Sequence, residues 1–313
     1  MFGLYHTDGL VEELSKVCPS RVSTDVLLSG LTTFRIGGPA DLVVEPASVD
    51  QLKKVLVILS EREEKYVVIG RGSNILACDD GFRGVVVRIG EAMQQVSKQN
   101  AIIVAQAGAS LSSLARTCAL WGRGGLEFAA GIPGTVGGAL YMNAGAYGGE
   151  MKQVVQEVTA VDQTGRLFRL DKVDMQMGYR RSILQRKSWI AVECALQLEE
   201  RDPLAVKALI KKYNQQRRDK QPLEYPSAGS VFKRPEGYYA GQLIEQAGLK
   251  GLRIGGAQIS PKHAGFIVNR GGATCSDVLE LIRQAQKRVY ENSGVSLEPE
   301  IRYLSARGLD QIQ

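Results

Sequence analysis

The chain has 313 residues, 44% of them hydrophobic, which is enough to bury a substantial core in two or three domains. Its 39 basic and 33 acidic residues give a net charge of +6, but no aromatic side chains alternate with the basic ones as on a nucleic-acid stacking surface. The five scattered cysteines lack C-x-x-C spacing, which argues against disulfides and zinc and indicates a reducing compartment. Because no signal peptide or bilayer-spanning apolar run is evident, we expect a cytoplasmic protein without a nucleic-acid partner, a metal or membrane insertion.

The first part of the chain is predicted to alternate strands and helices. Residues 42–45 form a strand, and Ser48 caps a helix that ends near Glu63 with its leucines on one face. Ser110 caps a second helix, which ends near Leu120. Apolar runs bounded by turn residues predict further strands at 66–70, 85–88, 101–106, 154–162, 166–170 and 189–198.

The composition changes near Asp202, where a helix rich in lysine and arginine begins. It is predicted to end near Lys220, before Pro222, and its charges are interpreted mostly as a solvated helix face. Beyond it we predict two helices and two strands, at 239–247, 276–290, 266–269 and 301–304. The chain is therefore expected to contain a glycine-rich α+β unit to about residue 200 and a smaller α+β unit after it.

The segment from Ala130 to Glu150 contains seven glycines and no lysine or arginine. It cannot neutralise an anion with side-chain charge, but glycine leaves backbone N–H groups open to a ligand that approaches closely. This pattern favours a tightly bound dinucleotide whose diphosphate is held by main-chain amides. A packing seam of small residues between a helix and a sheet is the alternative.

A second glycine cluster, Gly70-Arg71-Gly72-Ser73-Asn74, follows the predicted strand at 66–70. It begins like the dinucleotide fingerprint G-x-G-x-x-G, but Ile75 stands where the third glycine belongs. A turn-like stretch and another strand follow instead of the helix that a Rossmann site needs. The Rossmann interpretation is therefore rejected, and no P-loop motif is present.

Taken in order, the two glycine segments and four further motifs resemble those of the UDP-N-acetylenolpyruvoylglucosamine reductases, flavin enzymes of bacterial peptidoglycan precursor synthesis. The resemblance extends from about Thr32 to Tyr303 and is to the shorter branch of the family, which lacks an inserted tyrosine-bearing loop. The four motifs are Thr33-Phe34-Arg35-Ile36-Gly37-Gly38, Gly178-Tyr179-Arg180-Arg181-Ser182, Ser227-Ala228-Gly229-Ser230-Val231-Phe232-Lys233 and Leu297-Glu298-Pro299-Glu300-Ile301-Arg302.

This resemblance implies an α+β fold with a two-lobed FAD-binding domain of the vanillyl-alcohol-oxidase (PCMH) type and a smaller α+β substrate-binding domain. The lobes are expected at 1–90 and 91–200, and the substrate-binding domain at 201–313. NADPH is the implied hydride donor to FAD, which then reduces the enolpyruvyl group of a nucleotide sugar. We expect FAD to be bound non-covalently, because neither histidine lies in the glycine segments and Cys118 has the pattern of a helix-face residue.

The expected cofactor-binding residues all belong to the two glycine segments. They are Arg71, Gly72, Ser73, Asn74, Gly131, Ile132, Gly134, Thr135, Gly138, Asn143 and Gly145.

Three residues suit the chemistry of the implied reaction. Hydride addition to a C=C bond next to a carboxylate creates an enolate, whose oxygens need cationic or hydrogen-bonding partners. Arg180 can fork onto a carboxylate, and Glu300 can donate a hydrogen bond when protonated or orient a neighbour. The resemblance implies that Ser230 gives the proton to the enolate carbon. Without the resemblance, Arg180 is equally well interpreted as a surface arginine and Glu300 as a strand-edge residue. Ser230 is then interpreted as a capping hydroxyl in a turn.

Three further residues are expected to contact substrate: Tyr179, Lys233 and His263. An exposed lysine and a loop histidine are the alternatives for the last two. An FAD-linked oxidase of the same fold, acting on a sugar or an alcohol, is the alternative function, since it also explains the glycine segments. A non-enzymatic nucleotide-binding module is less favoured, because acid, base and anion-binding residue types occur together in the motifs.

Overall fold

The computed structural model describes residues 8–312, so His6 lies outside the described residues. Within that range, the α-helices are α1 (Asp8–Val17), α2 (Val49–Glu61), α3 (Leu111–Leu120), α4 (Val136–Met142), α5 (Met151–Val154), α6 (Ile183–Lys187), α7 (Pro203–Lys220), α8 (Ala240–Gln246) and α9 (Cys275–Ser293).

The strands of the described chain form six sheets of two to five strands. They are β1 (Val22–Leu27), β2 (Pro39–Val44), β3 (Tyr66–Ile69), β4 (Ile75–Ala77), β5 (Phe82–Arg88), β6 (Val96–Gln99), β7 (Ile102–Gln106), β8 (Arg123–Gly124), β9 (Gly145–Ala146), β10 (Gly149–Glu150), β11 (Val155–Val161), β12 (Leu167–Asp171), β13 (Ile190–Gln197), β14 (Glu199–Glu200), β15 (Arg253–Ile254), β16 (Ala257–Ile259), β17 (Ile267–Asn269), β18 (Arg302–Ser305) and β19 (Gly308–Gln311).

The chain divides into two compact units. Unit 1 takes the residues up to Thr24 together with Leu42–Arg71 and Val85–Gln216. Unit 2 takes the remaining segments, Asp25–Asp41, Gly72–Gly84 and the residues from Arg217 onward. The expected division of the chain at about residues 90 and 200 stays a prediction.

Unit 1 contains a five-stranded antiparallel sheet in the order β12-β11-β13-β7-β6. Asp162 shapes the hairpin between β11 and β12, since its carboxylate accepts the N–H groups of Thr164 and Arg166. Helix α3 packs its apolar face into the same core, where Leu111 and Cys118 are fully buried. Ser110 caps α3 as predicted, by accepting the N–H of Ser113.

A four-stranded sheet has the order β1-β2-β5-β3, with β3 and β5 parallel from the pair Tyr66–Val85 onward. Helix α2 begins after Ser48, whose hydroxyl accepts the N–H of Gln51, and this confirms the predicted cap. The apolar face of α2 is buried in a second core of unit 1. Each fully buried leucine there, such as Leu52, stabilises the fold by about 1.5–3 kcal/mol.

Unit 2 is built around helix α9, which packs its buried face against the antiparallel sheet β15-β16-β17. The N-terminus of α9 is closed by a capping box between Thr274 and Asp277. The Asp79 carboxylate also accepts the N–H of Cys275, at 2.7 Å. A second sheet, β19-β18-β4, pairs β18 with β4 in parallel and with β19 in antiparallel orientation.

The second glycine cluster lies between β3 and β4, and a strand follows it rather than a helix. This confirms the rejection of a Rossmann site. The sequence did not predict α4, which forms inside the first glycine segment although glycine disfavours helix by about 1 kcal/mol per residue. Its two glycines occupy the first turn, Thr135 caps it, and Asn143 ends it in the left-handed conformation.

No helix among residues 8–312 is both long enough and apolar enough to cross a membrane. In the same described range, no group of three or more His, Cys, Asp or Glu side chains is placed to hold a metal ion.

Candidate active site

The first glycine segment is fastened to the turn that precedes α3. Gly137 donates its N–H to the carbonyl of Ala107 at 2.8 Å, and Val136 donates to Ala109 at 2.9 Å. A Cβ atom on Gly137 would lie 3.0 Å from the Cβ of Ala107. The packing interpretation is therefore correct for this part of the segment, because close contact with the neighbouring turn requires small residues.

The two glycine segments also meet inside unit 1. A Cβ atom on Gly70, at the end of β3, would lie 2.4 Å from the side-chain oxygen of Thr135. Thr135 is buried, and its hydroxyl accepts the N–H of Gly138 at 3.3 Å. The threonine thus serves as helix cap and as packing partner of the other segment.

Two buried residues of this segment, Gly134 and Thr135, have N–H groups that donate to no protein acceptor among the described residues, and the N–H of Gly131 is likewise unpaired there. Buried backbone donors without partners are rare in folded proteins. These amides therefore fit an anionic ligand such as the diphosphate of FAD. The N–H of Ile132 is different, because it donates to the carbonyl of Ala129 at 3.0 Å.

Asn143 was expected to contact the cofactor, and the structure corrects this. Its side chain is completely buried. Both amide hydrogens are used, one by the Glu150 carboxylate and one by the carbonyl of Gly178, each at 2.9 Å, and its oxygen accepts the N–H of Lys152. A side chain without accessible surface cannot reach a ligand, so Asn143 supports its surroundings instead.

Gly145 has a structural role of its own. It belongs to the small hairpin formed by β9 and β10, in which it pairs with Glu150. A Cβ atom on Gly145 would lie 2.6 Å from the carbonyl oxygen of Gly149. The close approach of the chain to itself requires glycine at this position, and the expected contact of Gly145 with the cofactor stays a prediction.

Tyr179 and Arg180 form the tip of a tight turn in unit 1. Gly178 and Arg181 exchange backbone hydrogen bonds of 3.0 and 3.2 Å across it. Arg180 has a φ of +54°, a left-handed conformation that costs a non-glycine residue about 1–2 kcal/mol. Tyr179 is half exposed, and the Arg180 guanidinium lies 4.9 Å from its ring centre. A strained, solvent-accessible arginine makes this turn a candidate functional segment.

In the second glycine cluster, the exposed Arg71 is the last residue of a unit 1 segment, and Gly72, Ser73 and Asn74 belong to unit 2. Gly72 has a φ of +62°, and a Cβ atom there would lie 2.3 Å from the carbonyl oxygen of Leu31. Only glycine fits that position. Across residues 8–312, the N–H groups of Gly72, Ser73 and Asn74 have no protein acceptor. This loop therefore offers a second set of amides that suits a diphosphate.

Ser230 and Glu300 lie on neighbouring segments of unit 2. The Val231 N–H donates to the carbonyl of Gly265 at 2.9 Å, and the Val231 carbonyl accepts the N–H of Glu300 at 2.7 Å. The segment that carries Ser230 is thus held on both sides. Ser230 itself is exposed, so its hydroxyl is accessible to a ligand.

Asn74 connects Glu300 to the second glycine cluster. Its side-chain amide donates to the Glu300 carbonyl at 3.2 Å, and its own carbonyl accepts the N–H of Arg302 at 2.9 Å. Within unit 2, the cluster, Glu300 and Ser230 are therefore joined by a continuous set of hydrogen bonds.

Lys233 and His263 are also in unit 2. Lys233 forms an ion pair with Glu298 and donates its N–H to the carbonyl of the same residue at 2.8 Å. The Nδ1 atom of His263 accepts the N–H of Gly265 at 3.1 Å, which leaves Nε2 as the protonated nitrogen of a neutral ring. Burial lowers the pKa of His263, and its ring packs edge-on against Phe266. His263 is therefore a neutral hydrogen-bond donor at physiological pH.

Two amide side chains in these surroundings were missed by sequence reasoning. Gln185 donates to the carbonyl of Arg180 at 3.1 Å and to that of Tyr141 at 2.6 Å. The buried Asn269 donates to the carbonyl of Phe34 at 3.1 Å. The bonds from Gln185 to Tyr141 and from Asn269 to Phe34 join distant parts of the sequence, and no local pattern signals them.

Two family models match the chain. A model described as FAD binding domain matches residues 40–171, and one described as UDP-N-acetylenolpyruvoylglucosamine reductase, C-terminal domain, matches residues 221–304. The chain is 48% identical over 276 residues to the UDP-N-acetylenolpyruvoylglucosamine reductase of Caldanaerobacter subterraneus subsp. tengcongensis. These aligned residues cover 88% of this chain and 91% of that relative. The chain belongs to the UDP-N-acetylenolpyruvoylglucosamine reductase family.

Further members of the family agree. The reductase of Clostridioides difficile is 47% identical over 272 residues, or 87% of this chain and 90% of that one. The crystal structure of the reductase (MurB) from Thermus caldophilus has a TM-score of 0.79 at 37% identity and covers 90% of this chain and 98% of its own.

These matches confirm the resemblance found in the motifs. They also confirm the predicted fold class, in which an FAD-binding domain is combined with a smaller C-terminal α+β domain. As a member of the reductase family with an FAD-binding domain, the chain is an FAD-dependent oxidoreductase. Nothing in these matches favours the alternative oxidase.

Proposed function

We propose that the chain reduces UDP-N-acetylglucosamine enolpyruvate to UDP-N-acetylmuramate, with NADPH as hydride donor, as a cytoplasmic step of peptidoglycan precursor synthesis. The observation that carries this proposal is the pairing of the Ser230 and Glu300 segments through Val231, in reach of the second glycine cluster through Asn74. Reduction of an activated C=C bond needs a proton donor and a hydrogen-bonding partner for an enolate. An alcohol oxidase needs a group that removes a proton instead.

The backbone amides of Gly131, Gly134 and Thr135 in unit 1 are proposed to bind the diphosphate of FAD. In unit 2, the amides of Gly72, Ser73 and Asn74 form a separate candidate set of donors. Neutral donors on small residues suit a diphosphate that lies against the main chain. When bound, FAD supplies the hydride that it has received from NADPH to the outer carbon of the olefin. The proton, the partners of the substrate carboxylate and the contacts to the rest of the substrate come from residues of the chain.

We assign the second hydrogen of the product to the Ser230 hydroxyl. A serine is a very weak acid, but the carbanion that hydride addition leaves on the inner carbon is a strong base. Two features support this role, the exposure of Ser230 and the backbone pairing of the adjacent Val231 on both of its sides. The pairing limits the positions that the hydroxyl can take.

Arg180 and Glu300 are assigned to the substrate carboxylate, where negative charge accumulates. A guanidinium binds a carboxylate with two parallel hydrogen bonds. The strained φ of +54° at Arg180 supports a functional reason for an arginine where glycine would fit better. In our proposal Glu300 donates a hydrogen bond from its protonated form, so that the developing enolate meets a donor rather than a second anion.

Tyr179, Lys233 and His263 are proposed to bind the rest of the nucleotide sugar. Tyr179 offers a half-exposed ring on which an apolar or aromatic group can pack. The Nε2–H of His263 is a neutral donor that suits a hydroxyl or carbonyl. Lys233 forms an ion pair with Glu298, so a phosphate of the substrate would compete with the Glu298 carboxylate for the ammonium group of Lys233.

The expected compartment fits the chemistry of the cysteines. All five lie within the described residues, and all are buried free thiols. Burial raises the pKa of Cys118 to about 12, which makes it a poor nucleophile for a covalent flavin bond. Non-covalent FAD in a reducing compartment is the arrangement we propose.

The proposal is tested with purified protein loaded with FAD under anaerobic conditions. We expect NADPH to be consumed beyond one equivalent per bound FAD only when the enolpyruvyl nucleotide is present, and the product to gain two hydrogens by mass spectrometry. In D2O, one solvent deuterium should appear on the inner carbon. NADPH consumption that needs oxygen, or oxygen-driven turnover of an alcohol or a sugar, would instead establish the oxidase alternative.

A further inference from the structure

The turn that carries Arg180 is held in an unfavourable conformation. The N–H of Arg181 donates to the carbonyl of Gly178 and closes a four-residue turn whose third residue has a positive φ, as in type II turns, where that position is usually glycine. Arg180 occupies that position. An arginine there tends to relax to a negative φ, so contacts from outside the turn are needed to keep it in place.

One such contact comes from Asn143. Its buried amide donates to the carbonyl of Gly178, the first residue of the turn, at 2.9 Å. Asn143 cannot shift easily, because its second amide hydrogen is bound by Glu150 and its oxygen accepts the N–H of Lys152. The base of the turn is therefore fastened to the end of helix α4.

The other contact comes from Gln185. Its side-chain amide donates to the carbonyl of Arg180 itself, at 3.1 Å, and to that of Tyr141 at 2.6 Å. The Tyr141 carbonyl also accepts the hydroxyl of Ser182 at 2.8 Å. Gln185 thus holds the peptide that follows Arg180, so the backbone on the C-terminal side of the strained residue is fixed by a side-chain hydrogen bond.

We propose that Asn143 and Gln185 are positioning residues that hold the guanidinium of Arg180 in the orientation needed for the substrate carboxylate. Neither is assigned to contact the reacting atoms. Both act through the backbone of the turn, from its first residue and from its third. This inference rests on the proposed function, in which Arg180 binds that carboxylate.

The test uses variants that remove the side-chain amides that donate to the turn. Gln185→Met keeps the length of the side chain without its amide. Asn143→Gly keeps the left-handed conformation that Asn143 adopts, with a φ of +43°, and removes only the side chain. Gln258→Met is the matched control, since the half-buried Gln258 also donates to a backbone carbonyl, that of Gly251 at 3.0 Å.

Two half-reactions are measured anaerobically in the FAD-loaded protein: reduction of the flavin by NADPH and its reoxidation by the enolpyruvyl nucleotide. We expect Gln185→Met to leave flavin reduction unchanged and to slow reoxidation by about 10- to 100-fold, as misplacement by about 1 Å does. Calorimetry with the oxidised protein should show weaker binding of the enolpyruvyl nucleotide. Gln258→Met should match the unaltered protein in each measurement.

A double variant separates positioning from a general loss of structure. In an Arg180→Ala background, Gln185→Met should slow reoxidation no further, because the group that it positions is gone. Additive slowing, or equal slowing of both half-reactions, would overturn the inference. If Arg180→Ala slows reoxidation while Gln185→Met and Asn143→Gly do not, the inference fails and the proposed function stands. If Arg180→Ala itself has no effect, the proposed role of Arg180 fails.

Discussion

The backbone N–H of Glu300 donates to the carbonyl oxygen of Val231 across 2.7 Å, one residue from Ser230. This bond brings a hydroxyl-bearing residue and a carboxyl-bearing residue onto neighbouring segments of unit 2. Because the bond is made by the main chain, side-chain variants at Ser230 and Glu300 should leave it in place. Such variants therefore report on chemistry more than on folding.

Ser230→Ala should block the second half-reaction alone. Flavin reduction by NADPH needs no proton from Ser230 and is expected to proceed normally. Reoxidation by the enolpyruvyl nucleotide should slow by about 10²- to 10⁴-fold, the usual contribution of a positioned acid. Anaerobic stopped-flow absorbance distinguishes the two steps. Ser293→Ala, which removes a hydroxyl bonded to the carbonyl of Val289 in helix α9, should leave both rates unchanged. Normal turnover by Ser230→Ala would exclude the serine as proton donor.

Glu300→Gln and Glu300→Ala should differ if the carboxyl group acts as a hydrogen-bond donor. Glutamine keeps an N–H donor at nearly the same position, whereas alanine removes it. We expect Glu300→Ala to slow flavin reoxidation by about 10²- to 10³-fold, as loss of an oxyanion donor does, and Glu300→Gln to slow it far less. Equal damage in the two variants would instead indicate that the ionised carboxylate orients a neighbouring group.

Much of the fold was predictable because its signals are local. Ser48 and Ser110 precede apolar faces of helical period, and both prove to be helix caps. The strands that were predicted lie within a few residues of those observed, since each is a short apolar run between turns, whereas β1, β4 and β6 were not predicted. The sequence also predicted that a strand, and not the helix of a Rossmann site, follows Gly72. Helix α4 was missed, because its stability comes from packing on the turn at Ala107 and not from its own glycine-rich composition.

The site was only partly predictable, because sequence motifs do not show which residues contact one another. Asn143 belongs to a glycine segment whose composition predicts cofactor binding, but its side-chain amide donates hydrogen bonds to Gly178 and Glu150. The bond from Asn74 to the Glu300 carbonyl joins residues 226 positions apart. Contacts at that separation depend on the complete fold.

Gly72→Ala should destabilise the protein more than the same substitution does at an ordinary glycine with a positive φ. Its Cβ would meet the backbone oxygen of Leu31 at 2.3 Å, in addition to the strain of a positive φ. We expect a loss of about 2–5 kcal/mol in the free energy of unfolding and weaker retention of FAD. Gly294→Ala is the control, with a φ of +70° and open space around its Cβ, and should cost only about 1–2 kcal/mol. Urea unfolding compares them, and equal losses would show that the contact with Leu31 relaxes freely.

His263 should make the stability of the protein depend on pH in the weakly acidic range. Burial lowers the pKa of His263 below its ordinary value of 6.5. As the pH falls below about 6.5, the unfolded chain binds a proton at this ring before the folded chain does, so stability decreases until the pH passes the folded pKa. The free energy of unfolding of the His263→Gln variant should fall less steeply with decreasing pH over this interval. Near pH 8, the variant and the unaltered protein should show the same dependence on pH. Urea unfolding at a series of pH values measures this. Parallel curves from pH 8 to pH 5 would show that the histidine does not contribute.

Arg180→Gly and Arg180→Ala should have the same effect on chemistry and different effects on stability. Both remove the guanidinium, so reoxidation of the flavin by the enolpyruvyl nucleotide should slow by about 10²- to 10³-fold in each. Alanine at a φ of +54° keeps a strain of about 1–2 kcal/mol, which glycine lacks, whereas glycine adds about 0.5–1 kcal/mol of unfolded-state entropy. The glycine variant should therefore be more stable than the alanine variant by up to about 1.5 kcal/mol in urea unfolding. An alanine variant as stable as the glycine variant would mean that the turn relaxes once the arginine is removed. A stable but inactive glycine variant would show that the strain at this turn is kept for function.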